Sequence, residues 1–351
     1  MWSLIFFDIL TMYILCVSQM VNEQFNKMLC ILLILITTAI SGFQYGIGAD
    51  YWNYVEMYYS SYIDSVIPYP EITFRFFSEV LRNQGFLAQS IFLLYSVIIN
   101  FFLYLTFKEY FGSYKNIILA YSFYVFCVFP GFYESLVTIR AMAAVSIILY
   151  ASKFLNNYKI KYAALIIVAG FFHTAAFMAM TLLLLPRIKQ KKYLFIPIIF
   201  GAAWNITGIG NSILSLDVGN YSAHVAAYQD IAGGGSLSLR IIYDVMLIIM
   251  VIVISDSVNM NHHISIPLEF LACGMAFHIA FVDMGALITR FFQPFYIFIL
   301  LAVPNVILQK KYLYRNLITL AFIFMITHIL FIMNFDNINP IVFDLNFVLL
   351  E

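Results

Sequence analysis

The chain has 351 residues, of which 63% are hydrophobic and only 10% are charged, and its mean hydropathy is +0.92. Since a soluble domain carries about 25% charged residues, this composition excludes a soluble fold and predicts a polytopic membrane protein. The formal net charge is zero, which argues against nucleic acid as a partner. A helix satisfies its own backbone hydrogen bonds in lipid, so the predicted fold class is all-α.

Apolar runs long enough to cross a bilayer recur along the chain, because a span needs about 20 mostly apolar residues. The predicted spans are 2–18, 28–43, 87–107, 116–131, 136–154, 193–209, 239–257, 264–282, 287–306 and 316–334. Long polar interruptions separate some of them, at 44–86 and 210–238. With the segment 162–185, the total is about 11 membrane-spanning helices in a single domain, 1–351.

The stretch 43–59, FQYGIGADYWNYVEMYY, follows the second predicted span and combines glycines, two acids and several aromatic rings. Asp50, Tyr54 and Tyr58 share one helix face at i, i+4 spacing. Sugar rings pack on aromatic planes and bond to tyrosine hydroxyls, so Tyr51, Tyr54 and Tyr58 are candidate sugar-binding residues. Asp50 is a candidate catalytic base. The alternative is a helix N-cap at Asp50 and an interfacial aromatic belt.

The same polar interruption continues with PEITFRFFSEVLRN, a pattern that predicts a short amphipathic helix on the outer surface. Glu71 begins this helix and is a second candidate catalytic carboxylate near Asp50. The alternative is an interfacial strut, in which Glu71, Arg75, Glu79 and Arg82 form ion pairs at i, i+4 spacing.

Two arginines lie about one turn inside predicted spans, Arg140 in VTIRAMAAVSI and Arg290 in GALITRFFQPF. A charge near the bilayer centre costs about 2.5–3.5 kcal/mol, so such residues usually face a cavity or a partner. Both are candidate pyrophosphate-binding residues. Snorkelling of the side chains to the outer headgroups is the alternative.

The segment 162–185 is flanked on both sides by lysine clusters, and positive charge in short loops marks the cytoplasmic side. One crossing helix would separate the two clusters. A re-entrant hairpin that turns at AGFFHTAA resolves this conflict, and one ordinary span is the alternative. His173 lies at the turn and is the third candidate catalytic residue, with a packed core histidine as the alternative.

Lysine and arginine are sorted by this topology, which has its N-terminus outside. All lysines fall on the cytoplasmic side, and the basic residues on the outer side are all arginines: Arg75, Arg82, Arg140, Arg240 and Arg290. A guanidinium group is planar, stays charged and matches phosphate oxygens, so we interpret this set as anion-binding. A chance excess of arginine is the alternative.

The loop 210–238 carries a run of glycines, which predicts a mobile segment. Tyr221 and Tyr228 within it are further candidate sugar-binding residues that would close over an acceptor. The sequence has no Walker loop, no HExxH motif and no cysteine spacing typical of a metal site. Neither a cofactor nor a metal is therefore expected, and a substrate on the outer face must carry its own activation.

The motifs YGIGADYWNY, PEITF, VTIRAMAAVSI, AGFFHTAAF and TRFFQPF follow the order found in EpsG-like, Wzy-type polymerases of O-antigens and exopolysaccharides. The chain resembles this family over roughly residues 30–305. It departs from the family pattern at Gln44, where arginine is frequent, and at Ala141, where glutamine is frequent. The departure at Gln44 shifts the expected phosphate contacts to Arg140 and Arg290.

The resemblance implies a GT-C-like membrane glycosyltransferase. With Arg140 and Arg290 on the pyrophosphate it would need no metal, and direct displacement would invert the anomeric centre. The enzyme would polymerise undecaprenyl-pyrophosphate-linked oligosaccharide repeats at the periplasmic face of the bacterial inner membrane, in lipopolysaccharide or exopolysaccharide biosynthesis. The implied protein partners are a repeat-unit flippase and a chain-length regulator. From the residues alone, a lipid-linked oligosaccharide flippase or exporter stays open, as does a membrane acyltransferase that modifies a surface glycan.

Overall fold

The computed structural model describes residues 2–48, 50–60, 71–127, 131–184, 190–207, 248–249, 251–252, 262–281 and 292–308. Every regular element within these ranges is helical, as the all-α prediction requires. The predicted span 316–334 and the loop 210–238 lie outside the described residues, as does most of the predicted span 239–257.

The helices of the first half lie on the predicted apolar runs or within the polar interruption 44–86. They are α1 (Trp2–Ser18), α2 (Glu23–Gly42), α3 (Tyr51–Tyr59), α4 (Ile72–Asn83), α5 (Gln89–Phe111) and α6 (Tyr114–Phe126). Side-chain caps explain two of the starts: Asn22 accepts a hydrogen bond from the backbone N–H of Phe25 before α2, and Ser113 accepts one from Asn116 before α6.

The remaining described helices are shorter and include several breaks. They are α7 (Phe132–Val137), α8 (Ile139–Ala151), α9 (Lys159–Phe172), α10 (Phe195–Thr207), α11 (His262–Ala280) and α12 (Ile299–Ile307). Three 3₁₀ helices occupy Ser152–Phe154, Thr174–Leu183 and Lys191–Leu194. The predicted span 136–154 is not one helix, because the backbone leaves the helical conformation at Thr138, between α7 and α8.

Two described helices, α2 and α5, are long and apolar enough to cross a membrane. Shorter apolar helices occupy Phe6–Ser18, Thr174–Leu183, Ser265–Ala280 and Phe292–Ile307. The total of about 11 spans therefore stays a prediction.

The chain divides into two compact units, Met1–Phe177 with Leu317–Glu351, and Met178–Asn316. In the first unit, α5 packs against α2 and α8, and α8 packs against α9. In the second unit, α10 packs against α11.

Buried polar side chains join α2, α5 and α6 inside the first unit. Ser96 donates a hydrogen bond to the carbonyl of Thr38 at 2.9 Å, and Tyr121 donates one to the carbonyl of Asn100 at 2.8 Å. The hydroxyl of Thr37 lies 3.0 Å from Oδ1 of Asn100. Between apolar helices such bonds hold neighbours in one register, and they fix the position of α5 within the unit.

The loop between α2 and α3 is held in place by contacts with Gln89 and Val137. Nε2 of Gln89 donates to the carbonyls of Gly42 at 2.6 Å and Gln44 at 3.0 Å. Gly48 adopts a φ of 79°, and a Cβ there would meet the side chain of Val137 at 2.8 Å. Glycine is therefore required at this close approach, which brings the start of α3 against the end of α7.

The predicted amphipathic helix is present as α4, and two of its faces have different surroundings. Phe74 and Ser78 are buried, whereas Ile72, Phe76 and Val80 form an exposed apolar edge. The side of a membrane on which α4 lies stays a prediction.

Candidate functional site

The side chains of Glu71, Arg140 and His173 meet in the first unit, although they lie far apart in the sequence. Oε2 of Glu71 accepts a hydrogen bond from Nη1 of Arg140, and Oε1 of Glu71 lies 2.7 Å from Nδ1 of His173. The three side chains keep exposed fractions of 13%, 19% and 20% respectively. One carboxylate thus joins two cationic or basic groups in a place that is mostly buried and still accessible.

Each of the three residues lies at the end of a helix. Glu71 immediately precedes α4, with φ −56° and ψ 153°, and Arg140 is the second residue of α8, just after the break at Thr138. His173 is extended, with φ −158° and ψ 124°, between α9 and the next 3₁₀ helix. The site is therefore built where chain direction changes, and the positions of these breaks decide which side chains can meet.

The break at His173 falls at the turn that the sequence predicted. Beyond it, the ring of Phe177 packs on Gly170, where a Cβ would lie only 2.2 Å from Cζ of that ring. Glycine thus admits the ring against α9. The segment is not one continuous helix, and the choice between a re-entrant hairpin and a crossing segment stays a prediction.

Aromatic rings surround the guanidinium group of Arg140. Its Cζ lies 5.3 Å from the ring centroid of Tyr54 and 5.7 Å from that of Phe74, within the range of cation–π attraction. Its Nε is buried and has no hydrogen-bond partner in the described part of the chain. Arg140 is thus held by Glu71 and by the two rings while it keeps an unused N–H donor.

Burial and the two partners of Glu71 act in opposite directions on its pKa. Burial alone would raise the pKa of Glu71, but the hydrogen bond with His173 and the positive charge of Arg140 lower that pKa below its ordinary value of 4.5. Glu71 is therefore an anion at neutral pH, and an ionised carboxylate can only accept hydrogen bonds.

This charge assigns the tautomer of His173. Since Glu71 can only accept, Nδ1 of His173 donates the hydrogen bond between them, and in a neutral imidazole the lone pair then lies on Nε2. Among the described residues, Nε2 of His173 makes no hydrogen bond. The arrangement suits an imidazole that accepts a proton through Nε2 while a carboxylate orients it.

Asp50 lies directly before α3, but its carboxylate makes no capping hydrogen bond, so the N-cap alternative is not observed. The rings of Tyr51, Tyr54 and Tyr58 are almost fully buried. Tyr58 donates to the carbonyl of Phe86 at 2.7 Å. Of the three tyrosines, Tyr54 is the one beside Arg140, and contact of these tyrosines with sugar stays a prediction.

Sequence reasoning missed Phe74 as part of the site. Phe74 follows Glu71 by three residues, a spacing that would place both on one side if the helix included Glu71. The aromatic residue of PEITF was therefore a usable signal for a group beside the partner of Glu71. Burial of Phe74 and exposure of Phe76 were not predictable from the amphipathic pattern alone.

The arginines predicted for the outer side have different surroundings in the structure. Arg140 joins Glu71 as described, and Arg75 is exposed on α4. Nη1 of Arg82 lies within hydrogen-bonding distance of three carbonyls at the end of α3, those of Tyr58, Tyr59 and Ser60. Arg240, Arg290, Tyr221 and Tyr228 lie outside the described residues.

Replacement of Arg82 should lower the stability of the protein and leave its catalytic activity unchanged. The last carbonyls of a helix have no partner within it, so we expect Arg82→Ala to lower stability by about 1 kcal/mol. The measurement is the thermal unfolding midpoint of the purified protein in detergent, with activity per folded molecule measured alongside. An unchanged midpoint would show that these contacts contribute nothing.

In the part of the chain that the structure describes, no group of three or more His, Cys, Asp or Glu side chains is arranged to hold a metal. A model of the EpsG family matches residues 27–344. No curated protein and no solved structure matches the chain.

Proposed function

Because the chain belongs to the EpsG family, we propose that this membrane protein is a polysaccharide polymerase that joins lipid-linked oligosaccharide repeats by glycosyl transfer. The donor would be a growing chain attached through pyrophosphate to a polyprenyl lipid such as undecaprenol. The acceptor would be the non-reducing end of the incoming repeat. The observation that carries the mechanism is the contact of one carboxylate, Glu71, with both Arg140 and His173.

In the proposed reaction, an acceptor hydroxyl attacks the anomeric carbon of the donor sugar. The new C–O bond forms as the bond between that carbon and the pyrophosphate oxygen breaks, and the acceptor proton moves to Nε2 of His173. Direct displacement of this kind inverts the anomeric centre. Glu71 holds the imidazole by accepting the proton of Nδ1.

The charge of the cluster changes in the direction that the reaction needs. With neutral His173, the charges of Arg140 and Glu71 cancel. Once Nε2 takes the acceptor proton, the cluster carries one net positive charge at the moment when the lipid pyrophosphate gains negative charge. The unused donors of Arg140 would contact the leaving group, an interaction worth roughly 3–4 kcal/mol per donor.

The other predicted residues keep supporting roles in this proposal. Asp50 was the first candidate for the base, but the contact with Glu71 favours His173. Arg290 would give a second pyrophosphate contact, as the sequence predicts. Tyr221 and Tyr228 remain the proposed sugar-binding residues, and Tyr51, Tyr54 and Tyr58 would contact a sugar only if α3 moved, because their rings are buried. The proposed reaction uses no metal and no cofactor and takes place at the periplasmic face of the bacterial inner membrane, beside a repeat-unit flippase and a chain-length regulator.

The test compares His173→Gln with Asp50→Asn in a strain that otherwise lacks the chain. We expect His173→Gln to reduce polymerisation by about 10²–10⁴-fold, the usual contribution of a general base, and to leave single repeats on the lipid core. Asp50→Asn should keep a long surface-glycan ladder. A full ladder from His173→Gln, at normal protein level, would refute His173 as the base.

The same extracts separate the other functional classes. Loss of an exporter would leave repeats trapped on the cytoplasmic side, and loss of an acyltransferase would leave full-length glycan that lacks only a substituent. Either result in place of single repeats would overturn the polymerase proposal.

A further inference from the structure

A second contact runs beside the one between Glu71 and His173. Oγ1 of Thr73, in the first turn of α4, donates to the carbonyl of Phe171 at 2.8 Å and lies 3.4 Å from the hydroxyl of Tyr95. Thr73 follows Glu71 by two residues, and Phe171 precedes His173 by two. The start of α4 and the end of α9 are therefore joined twice, once through Phe171 inside the last turn of α9 and once through His173 at the break.

The hydroxyl of Thr73 supplies the carbonyl of Phe171 with a hydrogen-bond donor that α9 cannot provide. It lies in the last turn of α9, where the carbonyls have no N–H donor within the helix. Thr73 is β-branched, so its side chain is restricted to few rotamers and can hold the hydroxyl in one direction. The neighbouring ring of Phe172 contacts Phe77 and Tyr95, which closes an apolar layer beside the bond.

We propose that Thr73 is a positioning residue, whose hydroxyl holds the break after α9 against α4 so that Nδ1 of His173 reaches Glu71. This inference rests on the proposed function of His173. The backbone N–H of His173 donates to the carbonyl of Ala169, and its carbonyl accepts from the N–H of Ala176, but neither bond reaches α4. Without the bond from Thr73, the imidazole can shift relative to Glu71, and a shift of about 1 Å can cost about 10²-fold in rate.

Two variants of Thr73 separate the hydroxyl from the methyl group. Thr73→Val keeps the shape and removes the donor, and Thr73→Ser keeps the donor and removes the methyl group. We expect Thr73→Val to lower kcat by about 10–100-fold with little change in KM. Thr73→Ser should stay within about threefold of the wild type. The assay is polymerisation of the host's own lipid-linked repeats by the full chain in isolated membranes.

Ser78→Ala is the matched control on the same helix. Ser78 is fully buried on α4, and its hydroxyl has no hydrogen-bond partner among the described residues. Removal of that hydroxyl should leave kcat unchanged. Equal losses from Thr73→Ser and Thr73→Val would overturn the proposal, because packing of the methyl group would then explain both.

Chemical labelling tests the position of His173 without relying on its catalytic role. Diethyl pyrocarbonate modifies exposed imidazole nitrogens, and mass spectrometry reports the rate at the peptide that contains His173. We expect severalfold faster labelling in Thr73→Val and wild-type labelling in Thr73→Ser. Unchanged labelling in Thr73→Val would overturn the positioning role. Normal polymerisation by His173→Gln, with labelling still raised in Thr73→Val, would instead defeat the proposed function of His173.

Discussion

Arg140→Ala should abolish the long surface polysaccharide, and Arg140→Lys should restore only a small part of it. Arginine can bond Glu71 through Nη1 while its remaining terminal N–H groups are free to contact a phosphate, and its flat group packs against Tyr54 and Phe74. An ammonium group is a compact charge without this geometry. Loss of the donor should reduce polymerisation by about 10²–10³-fold, measured as polymer formed per unit of protein in membranes.

Two controls isolate this effect from misfolding. Arg75→Ala removes an exposed arginine of α4 and should leave the ladder unchanged. The double variant Glu71→Gln, Arg140→Gln removes both charges, so no buried charge is left unpaired. It should accumulate normally and still be inactive. A normal ladder from Arg140→Ala would remove Arg140 from the mechanism.

Glu71→Gln should be the most damaging single change near the site, because it affects two partners at once. The charge of Arg140 loses its counter-charge, and the imidazole of His173 loses the acceptor that orients it. We expect stability to fall by up to about 3 kcal/mol, the lower end for a buried pair, because both side chains keep some exposure. Polymerisation should fall at least as far as in His173→Gln, whereas Glu71→Asp should retain part of both properties.

The pH dependence of stability tests independently whether the carboxylate of Glu71 is ionised. The folded-state pKa of Glu71 is lowered, so its contribution is fully present above 4.5 and is lost as pH falls through the folded-state pKa, which is lower still. The wild-type unfolding midpoint should therefore drop more steeply below pH 4.5 than that of Glu71→Gln. Parallel curves for the two proteins would contradict an ionised Glu71 in this cluster.

The helices and individual site residues were predictable from local patterns, but their pairing was not. Glu71, Arg140 and His173 each stood out because a charge or an imidazole in an apolar context needs an explanation. The residue paired with Arg140 lies 69 positions away and the one paired with His173 lies 102 positions away. Helical periodicity predicts which residues share a face of one helix, and it carries no information on which helices touch.

The same limit explains where the sequence predictions and the structure differ. The spacing of Glu71 and Arg75 favoured an ion pair within α4, but Glu71 lies before the helix and turns to Arg140. The tyrosine spacing on α3 predicted one aromatic face, and the structure buries that face. At Thr138 the predicted span is broken without a proline or glycine, so no local signal marked the start of α8.

The exposed edge of α4, formed by Ile72, Phe76 and Val80, has a practical consequence for work on this protein. Glu71 directly precedes the first residue of the same helix. A change in the molecules around this apolar edge can therefore move α4 and change the distance between Glu71 and Arg140. We expect that a detergent which binds this apolar edge can detach α4 while the long helices stay folded. Circular dichroism would then look native in a sample that has already lost its catalysis, and reconstitution into nanodiscs is the safer route to kinetics.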